Sequence, residues 1–302
     1  MKQNKTLGYV AITVVAIIYG VSYMARNIIT DTKAMDPAVI TFLQLAIMAT
    51  LFLAYNLVTK KSMKLEKKHL PIIFLSGFVG TFLFHTLTNL SVSHVGAGVP
   101  SLLFGLAAAF SLIVNTLVFR KKTSLLGWVS VVIGLGGLYI IMGITPDNFA
   151  DTNLLGYGLS IGSVMAWVAY CFLADNVPVH YEKSVILFWN ALVGTVVSAP
   201  FLVIYPMDMA LVAQNMSSIL IALVILGVFN ATFAYFLNIF AIKLIGVNMA
   251  NIFLNFMPIA TLAAVFLVYG TAPKTNEVIG GLVIIASVLL MGYAENKKSI
   301  AK

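Results

Sequence analysis

Along most of the chain, apolar residues run in stretches of about 20, and polar residues collect in short gaps between them. A membrane-spanning helix needs about 20 mainly apolar residues, so each stretch predicts one span. Ten windows qualify: approximately 7–29, 37–59, 70–93, 96–119, 124–144, 154–174, 184–205, 217–241, 246–269 and 277–294. The gaps carry turn and charge chemistry, among them "DTKAMDP", "RKKTS" and "GTAPKTN". The first stretch follows Lys2 and Lys5 as a signal peptide would, but it is too long and lacks a small-x-small cleavage site. It reads as a retained span.

Composition agrees with that pattern. Of 302 residues, 61% are hydrophobic and 9% are charged, whereas a soluble domain carries about 25% charged residues. The chain reads as an all-α integral membrane protein whose surroundings are a lipid bilayer. Lys and Arg number 18 against 10 Asp and Glu. Because these bases sit in the gaps and line no folded face, the excess reports topology, and no nucleic-acid partner is expected. With the N-terminus in the cytoplasm and ten alternating spans, every Lys and Arg except Arg26, Lys33 and Lys274 falls on the cytoplasmic side. Both termini are then cytoplasmic, and the expected location is the cell (plasma) membrane. The single cysteine, Cys171, excludes an internal disulfide and a Cys-rich metal site, and its apolar surroundings predict a small buried side chain.

The chain also repeats itself. "LGYVAITVVAIIYGVSY" (7–23) aligns with "LGYGLSIGSVMAWVAYC" (155–171) at an offset of 148. The third and fourth spans align with the eighth and ninth at an offset of 150, pairing Gly77 with Gly227, His85 with Tyr235 and Gly96 with Gly246. The fifth meets the tenth through Gly127 and Gly280, at 153. The predicted architecture is ten transmembrane helices as two five-helix repeats, residues 1–146 and 150–302. Five is odd, so the second copy enters the membrane inverted. Inverted repeats let each half adopt the other's conformation around one central site, which is the geometry of alternating access.

Two five-helix repeats with "IIYGVSYMARN" and "MAWVAYCFLAD" in their first helices, "FMPIATLAAVFLVYG" at 256–270 and "IGGLVIIASVLLMG" at 279–292 resemble the EamA branch of the drug/metabolite transporter superfamily. The resemblance runs from Leu7 to Tyr293. It implies a transporter of amino acids and related small metabolites, often working in the export direction.

Candidate site residues are the polar ones inside the spans. Arg26 and Asp175 fall at helix ends, where a charge can reach the interface. No span holds a carboxylate pair and no Ser-His-Asp set is available, so no catalytic site, enzyme activity, cofactor or metal is expected. A membrane-embedded enzyme is therefore the most distant reading. The titratable group well inside a span is His85, four residues before Asn89 on the same face. It reads either as the group that couples transport to protons or as a neutral hydrogen-bonding residue between helices.

Asn248, Asn251 and Asn255 form a stripe in the ninth span, within about 60° on a helical wheel. Their repeat mates are Gly98, Ser101 and Gly105. The two faces read either as packing seams or as opposite walls of a cavity, with Asn251 and Asn255 opposing Ser101 and Gly105. Pro258 is expected to bend the ninth helix nearby.

Tyr19 and its mate Trp167, with Tyr170 one turn on, and Tyr235 with Asn238 supply further walls. A site of amides, phenols, an indole and one imidazole suits a small, partly apolar molecule with neutral or zwitterionic groups. With no Lys or Arg at mid-membrane, it is expected to hold a phosphate or polyanion poorly. The expected function is a secondary transporter of small metabolites. The alternative is a passive facilitator or pore for small neutral solutes, which the shortage of buried carboxylates leaves open.

Overall fold

The structure, a computed structural model, describes residues 5–118, 120, 124–143, 153–178, 180–245, 253, 254 and 256–300. Among the described residues there is no strand, and nine helices are long and apolar enough to cross a membrane. A tenth, shorter apolar helix covers Met257–Tyr269, the described part of the predicted ninth span. The sequence therefore folds as an all-α membrane protein of two inverted repeats.

The first half consists of α1 (Lys5–Thr32), α2 (Pro37–Val58), α3 (Leu70–Gly77), α4 (Phe84–Val95), α5 (Gly98–Leu103), α6 (Ala107–Leu117) and α7 (Leu125–Met142). The second consists of α8 (Leu154–Asp175), α9 (Lys183–Ser198), the short α10 (Phe201–Ile204) and α11 (Met209–Gln214), α12 (Met216–Leu223), α13 (Tyr235–Ile245), α14 (Met257–Tyr269) and α15 (Thr275–Ile300). Helix starts follow local chemistry. Asp36 caps α2 by accepting from the Ala38 amide, with Pro37 opening the first turn. Ser124 and Asn153 cap α7 and α8 by accepting from the amides of Gly127 and Gly156. Gly143 ends α7 in the left-handed region, at φ 58°, where a side chain would be strained. Pro258 lies in the first turn of α14, where its missing N–H costs no intrahelical hydrogen bond.

Two spans depart from α geometry at repeat-equivalent places. Between α3 and α4 the backbone forms a π-helix over Phe78–Leu83, and between α12 and α13 another covers Val224–Ala234. Each extra residue in a π turn rotates the downstream helix by about 100° relative to an uninterrupted α-helix. His85 and Tyr235 sit directly beyond these two segments.

Packing repeats with the same symmetry. α1 lies against α13, α14 and the second π segment, while its mate α8 lies against α4, α5 and the first π segment. α2 packs on α9, and α7 on α15. Individual contacts are mirrored. A Cβ at Gly8 would meet Leu244 and Ile245 at 2.8 and 2.6 Å, and one at its mate Gly156 would meet His94 and Val95 at 2.8 and 2.5 Å. Those two pairs are themselves repeat mates. The outward face of α1 presents Leu7, Val10, Val14 and Ile17, an apolar stripe of the kind lipid tails cover. Cys171 is also exposed, which corrects the expected burial.

Candidate functional site

The two halves meet around a cavity lined by residues of α1, α4, α8, α13, α14, the second π segment and Phe104. Its walls join the two repeat-related pairs seen in the sequence. Tyr19 of α1 and Trp167 of α8 both line it, as do His85 of α4 and Tyr235 of α13. The rings pack on one another. Tyr19 and Tyr235 are edge to face at 6.1 Å, as are Trp167 and Tyr235 at 6.1 Å. Phe84 and Phe104 stand 5.2 and 5.7 Å from Trp167.

The polar end of the cavity is built around Arg26. Its side chain is only 2% exposed, which corrects the expectation of an interfacial charge. α1 continues to Thr32, so Arg26 lies nearly two turns inside the helix. Its Nε donates to Asn89 Oδ1 at 2.8 Å and its Nη1 to Ser22 Oγ at 2.8 Å. Its Nη2 lies 3.2 Å from His85 Nδ1. A guanidinium has no acceptor, so His85 Nδ1 must accept, and the proton of the neutral ring then sits on Nε2.

Amides behind these contacts hold the arrangement in place. Asn89 Nδ2 donates to Thr41 Oγ1 at 2.9 Å. Gln44 Nε2 lies 3.4 Å from His85 Nδ1 and donates to Asn230 Oδ1 at 3.3 Å. Asn230 Nδ2 donates to Ser22 Oγ at 3.0 Å. Five elements thus converge: α1, α2, α4 and the second π segment directly, with α13 closing the cavity through Tyr235.

The repeat explains one asymmetry. Ser22 and Asn230 touch across the two halves, and their mates are Tyr170 and Gly80. Those mates touch as well, with a Cβ at Gly80 placed 2.1 Å from the Tyr170 ring. One crossing is filled by a serine and an asparagine, and its repeat mate by a tyrosine over a glycine.

Three buried polar atoms of the lining have no hydrogen-bond partner: Tyr19 OH, His85 Nε2 and Tyr235 OH. An unpaired buried polar group is costly, and a ligand that meets it removes that cost.

Of the residues expected from sequence, Tyr19, His85, Trp167 and Tyr235 line the cavity. Asn89 holds Arg26 from behind, and Tyr170 backs Trp167 at 5.6 Å. Asn238 lies one turn beyond Tyr235, and its Oδ1 is buried without a partner. Ser101 and Gly105 are buried away from the wall, and the Ser101 hydroxyl donates to the Gly98 carbonyl at 2.7 Å. A 3-10 turn at Phe104–Leu106 places Phe104 on the wall instead. Asn248, Asn251 and Asn255 lie outside the described residues. Sequence reasoning missed Arg26, Gln44 and Asn230. Their signal was a polar residue inside an apolar run, as in "FLQLA" and "VFNAT".

Known proteins resemble this chain along its length. The EamA-like transporter family matches it twice, over residues 6–143 and 154–293. An uncharacterized transporter of Archaeoglobus fulgidus is 24% identical over 285 residues, covering 94% of this chain and 98% of its own. The uncharacterized transporter YdfC of Bacillus subtilis is 27% identical over 236 residues, covering 77% of this chain and 74% of its own. A solved crystal structure shares the fold, with a TM-score of 0.62 at 15% identity over 96% of each chain.

Proposed function

The chain belongs to the EamA-like transporter family, and on that premise we propose that it is a secondary transporter exporting small metabolites, amino acids or related compounds, by alternating access. The observation that carries this reading is the meeting of two repeat-related pairs, Tyr19 with Trp167 and His85 with Tyr235, in one cavity. A site bounded by equivalent helices of inverted halves stays in place while the halves exchange conformations around it. The loop charges support a plasma-membrane orientation with both termini in the cytoplasm.

Within this scheme His85 serves as a neutral hydrogen-bonding residue. A proton on its Nδ1 would leave two donors, from Arg26 and Gln44, without their acceptor. His85→Gln therefore leaves any dependence of uptake on a pH gradient intact; loss of that dependence with counterflow retained assigns proton coupling to His85.

Purified protein in proteoliposomes tests the transporter reading. Uptake that saturates and is accelerated by unlabelled substrate on the far side supports it. Flux linear in concentration, with no trans-acceleration, replaces it with a passive pore.

A further inference from the structure

We propose that the cavity recognises its cargo by a carboxylate: Arg26 presents N–H donors to the anionic group of a small organic monoanion, and His85, Tyr19 and Tyr235 add donors along the same cavity. The apolar body of that molecule lies against Phe84, Phe104 and Trp167. This rests on the transporter reading and narrows its cargo from amino acids to related carboxylates that lack the amine.

Charge balance is the first ground. Arg26 is buried, and all three of its hydrogen-bond partners, Asn89, Ser22 and His85, are neutral. Among the described residues the ion pairs are Lys61–Glu182, Lys68–Glu66 and His180–Glu66, none of which reaches the cavity. Among the described residues no Asp or Glu lines the cavity. A charge taken out of water is tolerated when a counter-charge meets it. Here the described residues supply no counter-charge, and the cavity beside Arg26 is where one can enter. A guanidinium carries five N–H donors, of which three are engaged, leaving two for a ligand. Its planar fork matches a carboxylate in two parallel hydrogen bonds.

Donor polarity is the second, independent ground. The unpartnered lining atoms are two phenol hydroxyls and His85 Nε2. With Nδ1 held as acceptor by Arg26, Nε2 carries the ring proton and donates. The phenols can also donate. The waiting groups are thus donor-rich, which suits a ligand that brings acceptors.

Arg26, the positive charge among the described lining residues, sets the ligand's charge. A monoanion neutralises it, whereas a doubly charged phosphate leaves excess negative charge among aromatic rings. An amino acid brings its ammonium with it, which finds aromatic faces in the lining but no carboxylate. The isosteric acid lacking the amine is therefore preferred. This reverses the expectation from sequence that no cation reaches the site.

Three compounds of one skeleton test this: 3-phenylpropionate, phenylalanine and 2-phenylethylamine, titrated calorimetrically into the full-length protein in lipid nanodiscs. The acid is expected to bind roughly tenfold tighter than phenylalanine, with the amine weakest. Arg26→Gln should weaken acid binding by roughly tenfold or more and remove the preference among the three. Arg26→Gln can fail to fold, so Tyr235→Phe provides a second arm. Its hydroxyl has no partner in the ligand-free protein, so acid affinity should fall about three- to tenfold without loss of ligand-free thermal stability.

Equal binding of the three compounds, preference for the amine, no binding of the acid at about 10 mM (roughly −3 kcal/mol or weaker), or unchanged acid affinity in Tyr235→Phe overturns the proposal. Trans-accelerated transport of a neutral or cationic compound that is unaffected by Arg26→Gln overturns the carboxylate site and leaves the transporter standing. Arg26-dependent binding of the acid without saturable flux does the reverse.

Discussion

Gly80→Ala probes the point where repeat symmetry, the π segment and the cavity wall meet. A methyl at Gly80 would sit 2.1 Å from Cδ2 and 2.3 Å from Cγ of Tyr170. Carbon atoms pack at about 3.5–4.0 Å, so the ring must retreat by more than about 1 Å. The clash falls near the root of the ring, where a side-chain rotation gives little relief. Overpacking of this kind costs about 1–3 kcal/mol.

Tyr170 stands 5.6 Å from Trp167, which packs on Tyr235 across the cavity, so the displacement carries to the wall. Denaturant unfolding of Gly80→Ala, Tyr170→Ala and the double variant forms a cycle. The double variant should recover about 1–2 kcal/mol relative to the sum of the singles, because the smaller residue admits the methyl. Additivity within about 0.5 kcal/mol would refute the contact and the symmetry argued from it.

Other consequences are simpler to state. Asn56 and Ser184 bind reciprocally between α2 and α9, at 3.1 and 2.7 Å, and Asn56→Ala should cost about 1–2 kcal/mol in the same unfolding assay. A Cβ at Gly280 would fall 2.6 Å from the Gly137 carbonyl, so Gly280→Ala should separate α7 from α15 and lower the yield of folded protein by size-exclusion; a normal profile contradicts this. Outside the spans, hydrogen bonding from Lys68 holds the Glu66 carboxyl below its ordinary value. That contribution is present above the ordinary carboxylate value and fades as pH falls through the lowered one. Protection of the amides around residues 62–69, corrected for their intrinsic exchange rates, should then fall only in acid, and protection that does not change on acidification contradicts it.

The spans and the repeat were legible because a bilayer imposes a one-dimensional constraint that apolar run lengths and loop charges report directly. The cavity was legible only in part. Tyr19, Trp167, His85 and Tyr235 could be paired by offset alone, without knowledge of packing. Arg26 was not, because its burial is decided by helices distant in sequence: Asn89 and His85 approach from α4. Two polar pairs at four-residue spacing, Ser22 with Arg26 and His85 with Asn89, were the available hint. Ser101 and Gly105 were misplaced because wheel geometry assumes one uninterrupted helix. The 3-10 turn at Phe104–Leu106 breaks that assumption and brings Phe104 round in their place. The π segments left no mark in composition at all.

Lys61 and Glu182, paired at 2.7 Å, join the loop after α2 to the start of α9 and so tie the two halves together. In the proposed orientation this pair lies on the cytoplasmic side. Cysteines at 61 and 182 in a Cys171→Ser background, joined by a reducible bifunctional crosslinker, would hold that face shut. A further cysteine in place of Met257, on the cavity wall, then reports access to a membrane-impermeant thiol reagent from either side. Alternating access predicts that crosslinking abolishes counterflow and confines labelling at 257 to the outer side, and that reduction of the linker restores both. Counterflow that survives the crosslink, or labelling from both sides while it is in place, contradicts the account.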